Sequence, residues 1–105
     1  MIRTWAGLVA IVLGVAVTAD RQAAEGEPRF TEVYQAGDGG SHTFRIPSVI
    51  AARNGTLLAF AEARRLGASD AGDIDLVVKR SRDGGRSWSP LELVGDDGPN
   101  TVGNP

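Results

Sequence analysis

The sequence predicts an all-β fold, organised as a four-stranded antiparallel meander. Short apolar or alternating segments are each bounded by clusters of turn residues. Glycine is abundant, 14 residues in 105, which suits tight turns between strands. After Ala24 no segment repeats its apolar residues with the 3.6-residue period of a helix.

The N-terminus reads as an address. Arg3 precedes an almost unbroken apolar run, Trp5 to Val17, and Val17-Thr18-Ala19 gives a small-x-small cleavage pattern before Asp20. The run is shorter than the roughly 20 residues that a membrane-spanning helix needs. Residues 1–19 are therefore expected to be a secretory signal peptide, which makes the protein secreted or periplasmic. Residues 20–29 are expected to be a disordered polar lead, and residues 30–105 the folded part, with no stable membrane span left after cleavage.

The folded part is read in order. Phe30 to Tyr34 alternates roughly and is expected to be a short strand, ended by the turn cluster Gly37-Asp38-Gly39-Gly40-Ser41. Phe44 to Ala52 is the next strand. Pro47 has no N–H to donate, so this end of the strand must lie at an edge or a bulge. Asn54-Gly55 predicts a type I′ hairpin turn. Asn54-Gly55-Thr56 is also a glycosylation sequon, but the turn already accounts for it. Thr56 to Ala63 returns as a nearly continuous apolar run, which implies burial on both faces. After a loop from Arg64 to Gly72, Asp73 to Ser81 forms the third strand. Trp88 to Val94, broken by Pro90, forms the fourth.

Composition excludes several functions. There is no cysteine, so no disulfide and no zinc–thiolate site is possible, and one histidine excludes a multi-histidine metal site. Eleven basic residues balance thirteen acidic ones without a run of either sign, which argues against a nucleic-acid surface.

Ser81-Arg82-Asp83-Gly84-Gly85-Arg86-Ser87-Trp88 reads as a self-contained hairpin clip. Asp83 is placed to accept hydrogen bonds from turn N–H groups. Gly84 and Gly85 permit positive φ, and Trp88 can tuck its ring under the turn. Upstream, Phe44-Arg45-Ile46-Pro47 sets an arginine among apolar residues, where a guanidinium is expensive to bury without an anion. Its fork matches a carboxylate through two parallel hydrogen bonds. The loop Ser69-Asp70-Ala71-Gly72-Asp73-Ile74-Asp75 holds three carboxylates that could move a proton.

F-R-I-P followed by S-x-D-x-G-x-x-W resembles the sialidase (neuraminidase) family, over roughly residues 30–105. The resemblance implies the first blade of a six-bladed β-propeller, incomplete here, so that the chain looks like the front end of a longer exo-α-sialidase. It implies that Ser81, Asp83, Gly85 and Trp88 form a structural Asp box (a BNR repeat) on the face away from the active site. It implies that Arg45 is one of three arginines that hold the sialic acid carboxylate. It implies that the general acid is an Asp between the second and third strands. Asp70 fits best, eleven residues before Ser81; Asp73 and Asp75 are the weaker candidates. Arg64 is expected to face the substrate pocket, with Arg65 as its competitor on the opposite strand face. Glu62 is expected to serve in a structural pair.

Sialidases use a Tyr nucleophile. In the family it lies far downstream, as do the other two clamp arginines, whereas the single tyrosine here, Tyr34, precedes F-R-I-P. These residues alone are therefore expected to be inactive. The expected substrates are sialylated glycoproteins, glycolipids or oligosaccharides, and no cofactor or metal is required. The alternatives are a non-catalytic Asp-box propeller that binds glycans or a protein partner, and a trans-sialidase.

Overall fold

The structure is a computed structural model that describes residues 26–105. The expected signal peptide and the first residues of the expected lead lie outside the described residues. Among the described residues, no helix is long and apolar enough to cross a membrane. Four strands form one antiparallel sheet in sequence order: β1 (Thr43–Ala51), β2 (Leu57–Arg64), β3 (Ile74–Ser81) and β4 (Glu92–Gly95). The meander is thus the one expected from the spacing of the turns.

Alternation sorts β2 into two faces. Ala59, Ala61 and Ala63 point to one, and Leu58, Phe60, Glu62 and Arg64 to the other. The alanines leave room for a cover. Ala61, Ala63 and Val77 are buried beneath Tyr34, Phe44 and Leu91, with the Tyr34 and Phe44 rings stacked 4.9 Å apart. Glu62 and Arg64 are buried on the opposite face. Burial on both faces is what the unbroken apolar run of β2 implied.

The cover on the alanine face corrects one expectation. Phe30 to Tyr34 is not a strand. The segment is held by side-chain bonds rather than by a ladder. Tyr34 Oη donates to Ala59 O at 2.7 Å. Lys79 Nζ donates to Val33 O at 2.7 Å and to Asp38 Oδ2 at 3.0 Å, and sits 4.8 Å from the centre of the Tyr34 ring. A single-turn 3-10 helix, Asp38–Gly40, then leads into β1.

The Asn54-Gly55 turn is also corrected. A type I′ turn needs positive φ at both central residues, and Asn54 has none, whereas Gly55 lies at φ 87°. Gly55 N donates to Ala52 O at 2.9 Å and Ala52 N to Thr56 O at 2.8 Å. This is a three-residue loop, a tight turn closed by a left-handed glycine. The Asn54 side chain accepts from Thr56 N at 3.1 Å instead of entering the left-handed region.

β4 begins at Glu92, later than the expected Trp88. Pro90 cannot donate to a ladder. Ser89 replaces the ladder locally: its N donates to Arg80 O at 2.7 Å and its Oγ accepts from Arg80 N at 2.8 Å.

Beyond β4 the chain returns across the Glu62 face. Thr101 bridges Ile74 in parallel, and Val102 N donates to Ile74 O at 2.8 Å. Gly95 packs against Val102. The tail thereby reaches Glu62.

The Tyr34 hydroxyl ties the covering segment to the central strand. Burial pushes it up to about 12, so it stays protonated and donating. Tyr34→Phe is expected to destabilise the fold by about 1 kcal/mol. Urea unfolding of the two chains reads this as a lower midpoint with an unchanged slope.

Candidate active site

The first part of the site is a deformation of β1. Arg45 pairs with Glu62 and Ser48 with Phe60, so Ile46 and Pro47 together oppose Ala61 alone. That is a β-bulge, on an edge strand, as the Pro47 argument required. Ile46 takes φ 55°, an unusual conformation for a β-branched residue. Bulges of this kind re-aim side chains. Arg45, just before the bulge, is left half-exposed, 55% by side chain. Its one ion pair among the described residues is Asp70 Oδ1 at 3.7 Å, too long for a hydrogen bond. Its donors are therefore open to a ligand.

The second part is the end of β2. Arg64 is 3% exposed. Its Nε and Nη2 donate to Glu62 Oε2 at 3.2 and 2.9 Å. Its Nη1 donates to Ala68 O at 2.8 Å and to Asp70 Oδ1 at 2.7 Å. Hydrogen bonding to Glu62 and, behind it, to Asp70 holds the guanidinium firmly charged against the effect of its desolvation. Arg64 therefore spends four of its five N–H groups on the protein. It shapes the loop rather than offering a free fork. Arg65 points to the other face, as strand alternation required, and approaches Ser41 Oγ at 3.1 Å and Asp75 Oδ2 at 3.7 Å.

Asp70 is held by one oxygen while its side chain stays 85% exposed. Asp73 and Asp75 do not enter this cleft. Asp73 O accepts from Arg65 N at 3.0 Å, and Asp75 is buried on the opposite face. The structure thus brings together Arg45, Arg64 and Asp70 and separates the two competing carboxylates.

The cleft measures about 530 Å³ and is lined by Arg45, Glu62, Arg64, Asp70, Thr101 and Asn104, among others. The last two come from the returning tail, which sequence reading left as a turn-rich stretch. Asn104 N donates to Glu62 Oε1 at 3.2 Å, and Gly103 lies so close to that carboxylate that a Cβ there would collide with it. Gly103 is the signal that could have pointed to this close approach.

The Ser81–Trp88 segment forms a hydrogen-bonded clip at the end of β3. Ser81 Oγ donates to Asp83 Oδ1 at 2.8 Å and accepts from Gly85 N at 2.9 Å. Ser87 N donates to Asp83 Oδ1 at 2.9 Å, and Ser87 Oγ donates to Asp83 Oδ2. Trp88 Nε1 donates to Gly85 O at 3.2 Å. Gly84 and Gly85 have φ 73° and 89°. All four residues named for this motif, Ser81, Asp83, Gly85 and Trp88, take part. None of them lines the Arg45–Asp70 cleft.

No protein-family model matches the chain. Curated proteins do. The chain is 44% identical over 72 residues to an exo-alpha-sialidase of Arthroderma benhamiae, covering 63% of this chain and 18% of that protein. It is 47% identical over 72 residues to an exo-alpha-sialidase of Aspergillus fumigatus, with the same coverage. The chain is similar to curated sialidases. A sialidase of Paraclostridium sordellii is 36% identical over 73 residues, 68% of this chain and 18% of its own length. The chain thus spans about 18% of the length of these sialidases.

The Asp83 hydrogen bonds have a pH signature. Donation from the Ser87 hydroxyl and N–H, and then from Ser81, lowers its carboxyl from 3.8 to about 2. A folded value below the unfolded one stabilises the fold above the unfolded value, and the gain is lost as pH falls through the folded value. Stability is therefore expected to decline between about pH 4 and pH 2. In Asp83→Ala that part of the decline should be missing, on a lower baseline. Melting temperatures of both chains across this range provide the check.

Proposed function

We propose that this sheet is the first blade of a six-bladed β-propeller in a secreted exo-α-sialidase, which hydrolyses terminal α-linked sialic acids of glycoproteins, glycolipids or oligosaccharides. The observation that carries the reading is the pairing of an open guanidinium, Arg45, with an exposed carboxyl, Asp70, across one cleft. The similarity to curated sialidases supports it. So do the exposed apolar side chains on the two outer strands, Val49 and Ile50 on β1 and Leu93 and Val94 on β4. A propeller covers such surfaces with neighbouring blades. Secretion rests on the signal-like pattern of residues 1–19.

Each cleft residue has a role in this reading. Arg45 takes the carboxylate of the sialic acid through its two parallel donors. Asp70 donates the carboxyl proton to the glycosidic oxygen as the bond from that oxygen to the anomeric carbon breaks. Later it takes a proton from the attacking water. The Arg45–Asp70 contact is the weakest in the cluster, so it is the one a substrate carboxylate replaces. Arg64 acts through Asp70, by fixing the position of one carboxyl oxygen. Glu62 holds Arg64 from behind and joins the tail to the cleft.

The attack on the anomeric carbon belongs to a Tyr, as in sialidases generally. The single Tyr of this chain is engaged on the covered face with Ala59. The nucleophile and the remaining arginines of the carboxylate clamp therefore belong to other parts of the complete protein. These 105 residues alone are inactive in this reading.

The test uses the complete gene product. Asp70→Ala is expected to lower kcat/KM by about 10²–10⁴ on a sialoside with a poor leaving group. An activated aryl sialoside, whose leaving group needs no proton, should be hydrolysed much closer to the wild-type rate in its first step. Full activity of Asp70→Ala on the poor leaving group would remove Asp70 from the mechanism. A wild-type protein inert towards every sialoside would leave a binding propeller instead.

A further inference from the structure

On the face away from the cleft, three carboxylates converge where the start of β3 meets the turn after β4. Asp73, Asp75 and Asp96 each present one oxygen, and these oxygens lie within 4.8 Å of one another. An exposed acidic cluster is ordinarily just solvated. Asp75 sets this one apart. It is 5% exposed, and its Oδ1 is buried with no hydrogen-bond partner among the described residues. Its Oδ2 has Arg65 Nε at 3.7 Å, an ion pair without a hydrogen bond. A buried carboxylate oxygen without a donor is strongly unfavourable unless a proton or a cation neutralises it. Burial first, and then the charges of Asp96 and Asp73, push the Asp75 carboxyl above the usual range, with Arg65 opposing.

We propose that Asp73, Asp75 and Asp96 form a binding site for a calcium ion. All three donors are hard oxygens, which suit calcium or magnesium rather than zinc. Three carboxylates beside the Arg65 guanidinium carry a net charge of about −2, which a divalent cation neutralises. Calcium holds oxygens at about 2.4 Å, so oxygens that share one ion stand no more than about 4.8 Å apart, a limit that these three meet. Magnesium at about 2.1 Å requires a tighter and strictly octahedral set. Calcium also takes six to eight oxygens in loose geometry, leaving positions for water and backbone carbonyls.

The ion would link the start of β3 to the turn after β4. Asp73 O already accepts from Arg65 N at 3.0 Å, closing the base of the loop that carries Asp70. The tail is anchored to the same loop, with Thr101 Oγ1 accepting from Gly72 N at 3.1 Å and donating to Gly72 O at 2.9 Å. Calcium would thus stiffen the Asp70 loop from the side opposite the cleft. It takes no part in bond cleavage, and its binding does not depend on the glycosidase reading.

The test is calcium titration of the full chain in chelator-stripped buffer, read by calorimetry and by melting temperature. Binding is expected with Kd on the order of 10⁻⁴ M, as in weak structural calcium sites, with a rise in melting temperature that equimolar magnesium does not match. Asp96 is exposed, so Asp96→Asn should fold normally and bind calcium about tenfold more weakly or worse, through loss of one ligand charge. Asp75→Asn should melt higher than wild type in chelator, because it removes one of three neighbouring carboxylate charges that repel one another, and should no longer respond to calcium. Two results would overturn the proposal. One is a wild-type chain whose heat and melting ignore millimolar calcium. The other is a calcium response that both variants keep unchanged.

Discussion

Two opposite charges buried on the central strand hold much of this structure in place. Glu62 and Arg64 sit two residues apart on β2, so they share a face, and both are almost fully enclosed. Burying either alone would be strongly unfavourable. Together they satisfy one another, and their remaining capacity is spent on chain segments from either side. Arg64 takes the carbonyl of Ala68 and the carboxyl of Asp70, which fixes the β2–β3 loop. Glu62 takes the N–H of Asn104, which fixes the returning tail. The pair therefore makes β2 an anchor for two irregular segments, the β2–β3 loop and the tail. The cleft lies where those segments meet the bulge of β1.

The bulge and the Asp83 clip are opposite solutions to the same problem, a local departure from the ladder. At Ile46-Pro47 the departure is built from residues that disfavour it. A proline removes a donor and a β-branched residue takes positive φ, and such conformations persist only where surrounding contacts enforce them. At Gly84-Gly85 the departure uses residues that carry no such penalty, and the Asp83 carboxylate gathers the local donors. The strained departure adjoins the open guanidinium of Arg45, and the relaxed one lies outside the cleft. Strain kept beside an exposed cationic group marks the end of the sheet where chemistry is to be sought.

What was legible in the sequence was what short-range physics decides. The meander, the bulge or edge at Pro47, the clip at Ser81–Trp88 and the opposite facing of Arg64 and Arg65 each follow from a few adjacent residues. Four features did not. Phe30 to Tyr34 has the composition of a strand, yet it is held by bonds to residues 25 and 46 positions away, which alternation does not encode. Asn54-Gly55 has the residues of a two-residue turn, but the pairing of Ala52 with Thr56 adds a residue to the loop and changes its type. The contribution of Asn104 to the cleft depends on a contact 42 residues distant. The meeting of Arg45 and Asp70 at one cleft agrees with what motif and spacing implied. The enclosure of Arg64 was not legible there, because it depends on which partners reach it.

The two faces of the sheet place the two clusters of charge on opposite sides of the same loop. Along β3, Ile74 lies on the face of Arg64, and its neighbour Asp75 turns to the other. Residues 65–73 run between them, so the loop that carries Asp70 is gripped on one side by a satisfied ion pair and on the other by carboxylates with a buried oxygen lacking a donor. The asymmetry has a physical consequence. The Glu62–Arg64 side is balanced in charge and fixes the Asp70 oxygen directly. The Asp73–Asp75–Asp96 side is not balanced, so the loop's rigidity depends on what neutralises it. A proton on Asp75 would remove one charge, whereas a divalent ion would remove two and bind all three carboxylates at once. A single β-sheet can thus set the order of the Asp70 loop from the face opposite the cleft.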